Sequence, residues 1–128
     1  MRLLLDTHIL LWAVAASRKL PTGARDLLID PHNTILYSAA SIWELAIKSG
    51  LGRKDFRVNV GQLLQAAAET GFTELPVTST HAERVTTLPD LHRDPFDRLL
   101  IAQALTEPAL LLTNDAQLGE YGQHVRVL

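Results

Sequence analysis

The order of apolar and polar positions divides the chain into short strands and helices. Apolar runs suited to strands buried on both faces predict strands over residues 2–5, 34–38, part of 72–77, 109–113 and 125–128. Helical spacing and helix-ending residues predict helices over 7–16, 22–29, 41–49 (closed by Gly50), 60–70, 79–88, 95–107 and 116–121. This alternation predicts an α/β fold, with helices on both faces of a central, mainly parallel sheet of four to five strands.

Composition narrows the class of protein. The chain has 128 residues, 47% of them hydrophobic, and no cysteine. This length fits a single domain over 1–128, and the lack of cysteine excludes disulfides, thiolate metal sites and cysteine nucleophiles. Asp6 and His8 interrupt the apolar N-terminal stretch, so it does not predict a membrane span. We expect a cytoplasmic protein without a membrane partner.

Charge alone does not predict a partner. The formal net charge is −2, whereas proteins that bind many phosphates by charge alone are usually basic. A local basic cluster consists of Lys48, Arg53, Lys54 and Arg57, diluted by Asp55. Such a run of charged residues ordinarily forms a solvent-exposed face of the protein.

Four acidic residues lie where a predicted strand gives way to a helix. Asp6 follows the first strand, and Asp115 follows the fourth. Glu44 and Asp97 lie in the early turns of two predicted helices. Because the carboxyl ends of parallel strands share one edge of a sheet, we expect these acids to meet there.

Each acid also has a purely structural interpretation. Ser41 and Glu44 fit a capping box, and Glu44 could pair with Lys48 one turn later. The other acids fit positions at helix N-termini, where the helix dipole stabilises them: Asp6, Asp94, Asp97 and Asp115.

The coincidence of these acids at one edge favours a metal site. Several neighbouring carboxylates cannot all stay ionised cheaply unless a cation binds, and Asp6 would follow a buried run where an unpaired charge is costly. An all-oxygen donor set favours Mg²⁺, with Mn²⁺ as a substitute, over Zn²⁺. The five histidines show no zinc-binding spacing, and His8 is the one expected to approach the site.

Four stretches of the sequence resemble PIN-domain toxins of the VapBC type. They begin at Met1 (MRLLLDTH), Ser41 (SIWELAIK), His92 (HRDPFDRLLIAQA) and Leu112 (LTND). The stretches occur in the order that the family has, and the third is the most specific. The resemblance implies a PIN-domain-like, three-layer α/β/α sandwich.

The resemblance also implies roles for individual residues. The family's acidic quartet, which binds metal and carries catalysis, matches Asp6, Glu44, Asp97 and Asp115. Positions close to that site match Thr7, Asp94, Arg98, Thr113 and Asn114. Cations expected to guide an RNA backbone are Lys48, Arg53, Lys54, Arg93 and Arg98.

The function that this resemblance implies is that of a toxin. It is a Mg²⁺-dependent endoribonuclease that hydrolyses RNA phosphodiester bonds with metal-activated water. Its implied partners are the RNA substrate, a cognate antitoxin that covers the active-site groove, and a second copy of the chain in a homodimer.

Other interpretations of the residues stay open at this point. A receiver-type phosphoacceptor domain needs paired acids after the first strand and a late lysine, but no lysine follows Lys54. A phosphatase of the haloacid-dehalogenase type needs Asp-x-Asp where the chain has Asp6-Thr7-His8. A non-catalytic binding module, whose acids only cap helices, predicts no metal affinity.

Overall fold

The computed structural model describes residues 1–51 and 58–128. The strands found there are β1 (Arg2–Leu5), β2 (Thr34–Ser38), β3 (Thr73–Leu75), β4 (Leu110–Thr113) and β5 (Val125–Val127). These strands form one sheet in the order β3-β2-β1-β4-β5, and every pairing of neighbours is parallel. The predicted α/β class with a parallel sheet is therefore confirmed.

Helices cover both faces of this sheet. They are α1 (Thr7–Val14), α2 (Thr22–Ile29), α3 (Ala39–Gly50), α4 (Val60–Thr70), α5 (Ser79–Arg84) and α6 (Pro95–Thr106), with 3-10 helices at Val85–Thr87 and Ala116–Tyr121. One core packs α1, α2 and α4 against Leu3 and Leu5 of β1, whereas Leu4 joins α6 in a second core. Because alternate residues of a strand face opposite sides of the sheet, both sides of β1 are buried, and its sequence is apolar without a break.

Helix α3 begins earlier than the sequence predicts. Its first residue is Ala39, and the Ser38 hydroxyl accepts a hydrogen bond from the Ala40 N–H at 3.0 Å. The capping box assigned to Ser41 and Glu44 is therefore wrong, since both residues lie inside the helix and are buried. Because Ser38 ends β2, α3 follows the sheet directly and carries Glu44 to the sheet's carboxyl edge.

Several other helix ends also differ from prediction. Gly50 was expected to close α3, yet it is the last helical residue, and Leu51 after it keeps a right-handed conformation. Helix α1 ends at Val14 because the chain turns at Ala16, where φ is +50°. Gly71 closes α4 as predicted, with a φ of +92° that favours glycine.

The predicted helix over 79–88 is divided into α5 and the 3-10 helix that follows it. The division lies where the Val85 carbonyl accepts a hydrogen bond from Arg98 of α6, which draws this segment towards α6. The segment over 116–121 is also a 3-10 helix. Within residues 1–51 and 58–128, no helix combines the length and the apolar character needed to cross a membrane.

Candidate active site

The carboxyl edge of the sheet contains a small acidic pocket. Its volume is about 110 Å³, and its lining includes the whole predicted quartet: Asp6, Glu44, Asp97 and Asp115. The acids arrive from β1, α3, α6 and the end of β4, which the parallel pairing brings to the same edge. The structure thus brings together the four acids that the sequence singled out.

Asp6 lines this pocket and is held by two hydrogen bonds. Its carboxylate accepts hydrogen bonds from the Ile9 N–H at 2.9 Å and from the Thr113 hydroxyl at 2.5 Å. Burial raises the pKa of Asp6 above its ordinary value, and the nearby charge of Glu44 adds to the rise. Asp6 is therefore both the N-cap of α1 and a carboxylate whose ionised form is poorly solvated.

Glu44 is fixed by hydrogen bonds on both of its oxygens. Its Oε1 accepts from the Thr7 hydroxyl at 2.7 Å, and its Oε2 lies 2.7 Å from the Lys48 ammonium group. The Ser41 hydroxyl lies 3.0 Å from that of Thr7 and extends the network. The predicted pairing of Glu44 with Lys48 is present, but Glu44 is only 5% exposed, so this is not a surface ion pair.

The first turn of α6 places two carboxylates next to each other. Asp94 caps the helix by accepting from the N–H groups of Phe96 at 2.9 Å and Asp97 at 3.1 Å. Burial, together with the charges of Asp94 and Glu44, raises the pKa of Asp97 to about 6. Asp97 is therefore ionised at neutral pH against an unfavourable local field, and a bound cation would relieve it.

Thr113 and Asp115 connect β4 to the same site. The Thr113 hydroxyl donates to Asp6 and accepts from the Asp115 N–H at 3.0 Å. Asp115 also caps the following 3-10 helix by accepting from the Gln117 N–H at 3.0 Å. Asn114, another predicted neighbour of the site, lines the pocket. Capping a helix and lining the pocket are thus compatible roles for these acids.

Sequence reasoning missed the histidine that contacts a site acid. His92 Nε2 lies 2.9 Å from Asp97 Oδ2, and one atom each of His92, Asp97 and Asp115 all lie within 4.8 Å of one another. The expected histidine, His8, lines the pocket but is exposed, and its ring lies against Trp12. The signal for His92 was its place in the third motif, just before the cap of α6.

Arg98 contacts the protein itself. Its Nη1 group donates to the carbonyls of Pro89 and His92 at 3.1 and 3.3 Å and to the Tyr121 hydroxyl at 3.2 Å. Its Nη2 group donates to the Val85 carbonyl at 3.3 Å. These contacts give Arg98 an anchoring role for the segment before α6, and its expected contact with RNA stays a prediction.

The other cations expected to guide RNA are divided between different settings. Lys48 binds Glu44 inside the acidic pocket. Arg93 is exposed and lines a neighbouring open pocket of about 390 Å³. The remaining members of the basic cluster, Arg53, Lys54 and Arg57, lie outside the described residues.

Several solved structures share this fold. A chain of the VapBC2 complex from Rickettsia felis matches with a TM-score of 0.70 and 19% identity, over 100% of this chain and 98% of that one. VapBC-1 from nontypeable Haemophilus influenzae matches with 0.63 and 20%, over 94% and 92%. VapC20 from Mycobacterium tuberculosis, described as a toxin that cleaves the sarcin-ricin loop, matches with 0.60 and 18%, over 97% and 98%.

Sequence comparison assigns the family independently of these structures. No curated protein sequence matches the chain significantly. The family model for the PIN domain, however, matches residues 3–123, which is nearly the whole chain. The chain therefore belongs to the PIN domain family, with the fold of the VapC-type toxins.

Proposed function

We propose that this chain is a Mg²⁺-dependent endoribonuclease and the toxin of a toxin–antitoxin pair. The observation that carries the proposal is the meeting of Asp6, Glu44, Asp97 and Asp115 in one pocket at the carboxyl edge of a PIN fold. Two similar structures support the choice of substrate and system. One is a toxin described as cleaving the sarcin-ricin loop, and another is a toxin–antitoxin complex from Klebsiella pneumoniae.

The side chains in the pocket fit a divalent cation. Carboxylate oxygens are the donors that Mg²⁺ and Mn²⁺ prefer. Burial and neighbouring negative charge raise the pKa of both Asp6 and Asp97, so a cation between them would stabilise their ionised forms. Mg²⁺ is the proposed ion, with Mn²⁺ as a substitute.

Catalysis requires that these carboxylates be held in place before RNA binds. When bound, a divalent ion supplies Lewis-acid chemistry, making a water molecule more acidic and neutralising charge on the phosphate. Thr113 and the Ile9 N–H orient Asp6, while Thr7 and Lys48 orient Glu44. Hydrogen-bonded acids need little rearrangement to bind an ion and orient a phosphate, which lowers the barrier to the reaction.

The proposal extends to partners and location. We expect a cognate antitoxin that covers the acidic pocket, because several of the similar structures are VapBC complexes. The pocket is the natural target, since blocking it would prevent RNA from reaching the acids. We also expect a homodimer in the cytoplasm, consistent with the family resemblance of the sequence.

Cleavage of RNA by the purified chain tests this proposal. We expect cleavage with Mg²⁺ and none with a chelator, and sequencing of RNA 5′ ends would locate the cut. Asp6→Asn and Asp97→Asn should each lower the rate by about 1000-fold, which corresponds to about 4 kcal/mol of lost transition-state stabilisation.

Asp26→Asn is the matched control, because it makes the same chemical change at an exposed position on α2. It should keep full activity, and all variants should keep the circular dichroism spectrum of the wild type. Cleavage that persists in the chelator, or in both site variants, would contradict the proposal.

A further inference from the structure

His92 is held beside the acidic pocket by a contact from α6. The Arg98 guanidinium donates to the His92 carbonyl at 3.3 Å and to the Pro89 carbonyl at 3.1 Å. Because Arg98 directly follows Asp97 on α6, the helix that presents Asp97 also fixes the backbone of His92. The position of the imidazole relative to the carboxylate is therefore built into the fold.

The donor atoms of this group have spacings close to those of a coordination shell. His92 Nε2 lies 2.9 Å from Asp97 Oδ2, and one ligand atom each of His92, Asp97 and Asp115 all lie within 4.8 Å of one another. In an octahedral shell with bonds of about 2.1 Å, adjacent ligand atoms lie about 3 Å apart and opposite ones about 4.2 Å apart. Side-chain movements of less than an ångström or so would therefore let all three atoms bind one ion.

Burial supports the same arrangement. The side chains of His92 and Asp97 are only 16% and 24% exposed, and His92 lines the neighbouring pocket, which shares Asp94 with the acidic pocket. His8, which the sequence favoured, is exposed and lies against Trp12. Although His8 lines the acidic pocket, His92 is the histidine that the described residues group with two site carboxylates, Asp97 and Asp115.

We propose that His92 is an imidazole ligand of the metal centre, which makes this centre a mixed nitrogen–oxygen site whose nitrogen adds more to the affinity for Mn²⁺ than to that for Mg²⁺. The inference rests on the proposed function and specifies the metal chemistry of the same pocket. Imidazole binds transition-metal ions well, whereas Mg²⁺ prefers oxygen donors and water. Mn²⁺ accepts both kinds of donor, so an added nitrogen strengthens its binding more than that of Mg²⁺.

The competing role for His92 is that of a positioning residue. In that case its Nε2–H would only donate to Asp97 and orient the carboxylate, as partners of metal-binding side chains commonly do. The two roles differ in one observable. Only a direct ligand brings a nitrogen nucleus into contact with the bound ion.

Pulsed electron paramagnetic resonance of the full-length protein with Mn²⁺ alone distinguishes these roles. We expect the wild type to show a nitrogen-14 coupling to the bound Mn²⁺. The coupling should disappear in His92→Gln and persist in His8→Gln, a matched variant that changes the exposed histidine of the acidic pocket. Titration should show that His92→Gln lowers the affinity for Mn²⁺ by at least about tenfold and that for Mg²⁺ by less than about threefold.

A wild-type spectrum without nitrogen coupling rejects the ligand role however well the variants fold, whereas an observed coupling is assigned to His92 by its loss in His92→Gln. Bound Mn²⁺ without nitrogen coupling, or a coupling that only His8→Gln removes, would overturn the assignment of His92. Absence of Mn²⁺ binding would overturn it as well. If wild-type protein cleaves RNA but shows no nitrogen coupling, the proposed function stands and this inference fails. Nitrogen coupling from His92 without RNA cleavage would support the ligand role and contradict the proposed nuclease function.

Discussion

The two ends of α6 hold acidic side chains in opposite electrostatic settings. At the C-terminal end, Glu107 lies 2.6 Å from His81 Nε2 and 3.2 Å from the Arg2 guanidinium, and these hydrogen bonds lower its pKa. At the N-terminal end, burial and the neighbouring charge of Asp94 raise the pKa of Asp97. One end is neutralised by the protein's own side chains, and the other is suited to an added cation.

The hydrogen bonds around each acid explain this difference. His81 is 2% exposed, and its Nδ1 accepts from the Thr78 N–H at 3.0 Å, which leaves Nε2 to donate to Glu107. Asp97 also has a histidine partner, His92, but that hydrogen bond opposes the effect of burial only in part. An acid next to bases indicates a structural role, whereas an acid next to other acids indicates a binding site.

The largest expected effect on stability comes from removing the carboxylate of Glu107 at the C-terminal end of α6. Glu107→Ala should lower the free energy of unfolding by about 2–3 kcal/mol, because the nearly buried His81 Nε2 donor loses its partner. Urea unfolding monitored by circular dichroism measures the change. Glu83→Ala, at an exposed position on α5, is the control and should stay within about 0.5 kcal/mol of the wild type. A loss equal to that of the control would show that the two ends do not differ.

Removing the charge of Asp97, at the N-terminal end of α6, should change the free energy of unfolding by less and in the opposite direction. In the absence of divalent ions at pH 7, Asp97→Asn should raise the free energy of unfolding by about 1–2 kcal/mol, since it removes a charge that burial and Asp94 disfavour. Saturating Mn²⁺ should reverse the order, because the wild type then gains the binding energy of the ion. Asp26→Asn should show neither effect. Destabilisation of the metal-free protein by Asp97→Asn would contradict this account.

The smallest expected effect is a dependence of stability on pH. A carboxyl group whose pKa is raised to about 6 in the folded state takes up a proton on folding between that pH and its unfolded pKa. The metal-free wild type should therefore gain about 1 kcal/mol as the pH falls from 7 to 5, and Asp6 should contribute in the same direction. Asp97→Asn should show a clearly smaller gain in urea unfolding at the same pH values.

The contribution of Glu107 to stability, at the C-terminal end of α6, depends on pH with the opposite sign. The lowered pKa of Glu107 means that its stabilisation is complete above its unfolded pKa and is lost as the pH falls through its folded pKa. The loss should appear below about pH 4.5 and should be absent from Glu107→Ala. If both ends responded to acid with the same sign, the contrast between them would be refuted.

Much of the fold and of the site could be predicted from the sequence because the signals are local. Apolar runs mark the strands, and Asp94 followed by Pro95 marks the start of α6, as the structure confirms. The family match shows that the alternatives of a receiver-type domain and of a phosphatase of the haloacid-dehalogenase type are wrong for this chain. The assignment of the quartet to metal binding stays a prediction.

Other features could not be predicted because they depend on distances between remote residues. Ser38 and Ser41 are equally good caps by their residue type, and only the end of β2 at Ser38 decides where α3 begins. The hydrogen bond that the Thr113 hydroxyl donates to Asp6 joins residues near opposite ends of the chain. The anchoring role of Arg98 depends on carbonyls that the 3-10 helix at Val85 and the loop at Pro89 bring to it.

The sequence by itself determined the order of strands and helices and the placing of acids at their junctions, since hydrophobic burial and helix capping act over a few neighbouring residues. The tertiary structure alone decided which charged groups surround each acid. Glu107 pairs with His81 and Arg2, while Asp97, within the part of the chain that the structure describes, pairs with His92 alone and lies near the charges of Asp94 and Glu44. Electrostatic energy depends on distance and burial in three dimensions, and neither can be read from the position of a residue along the chain.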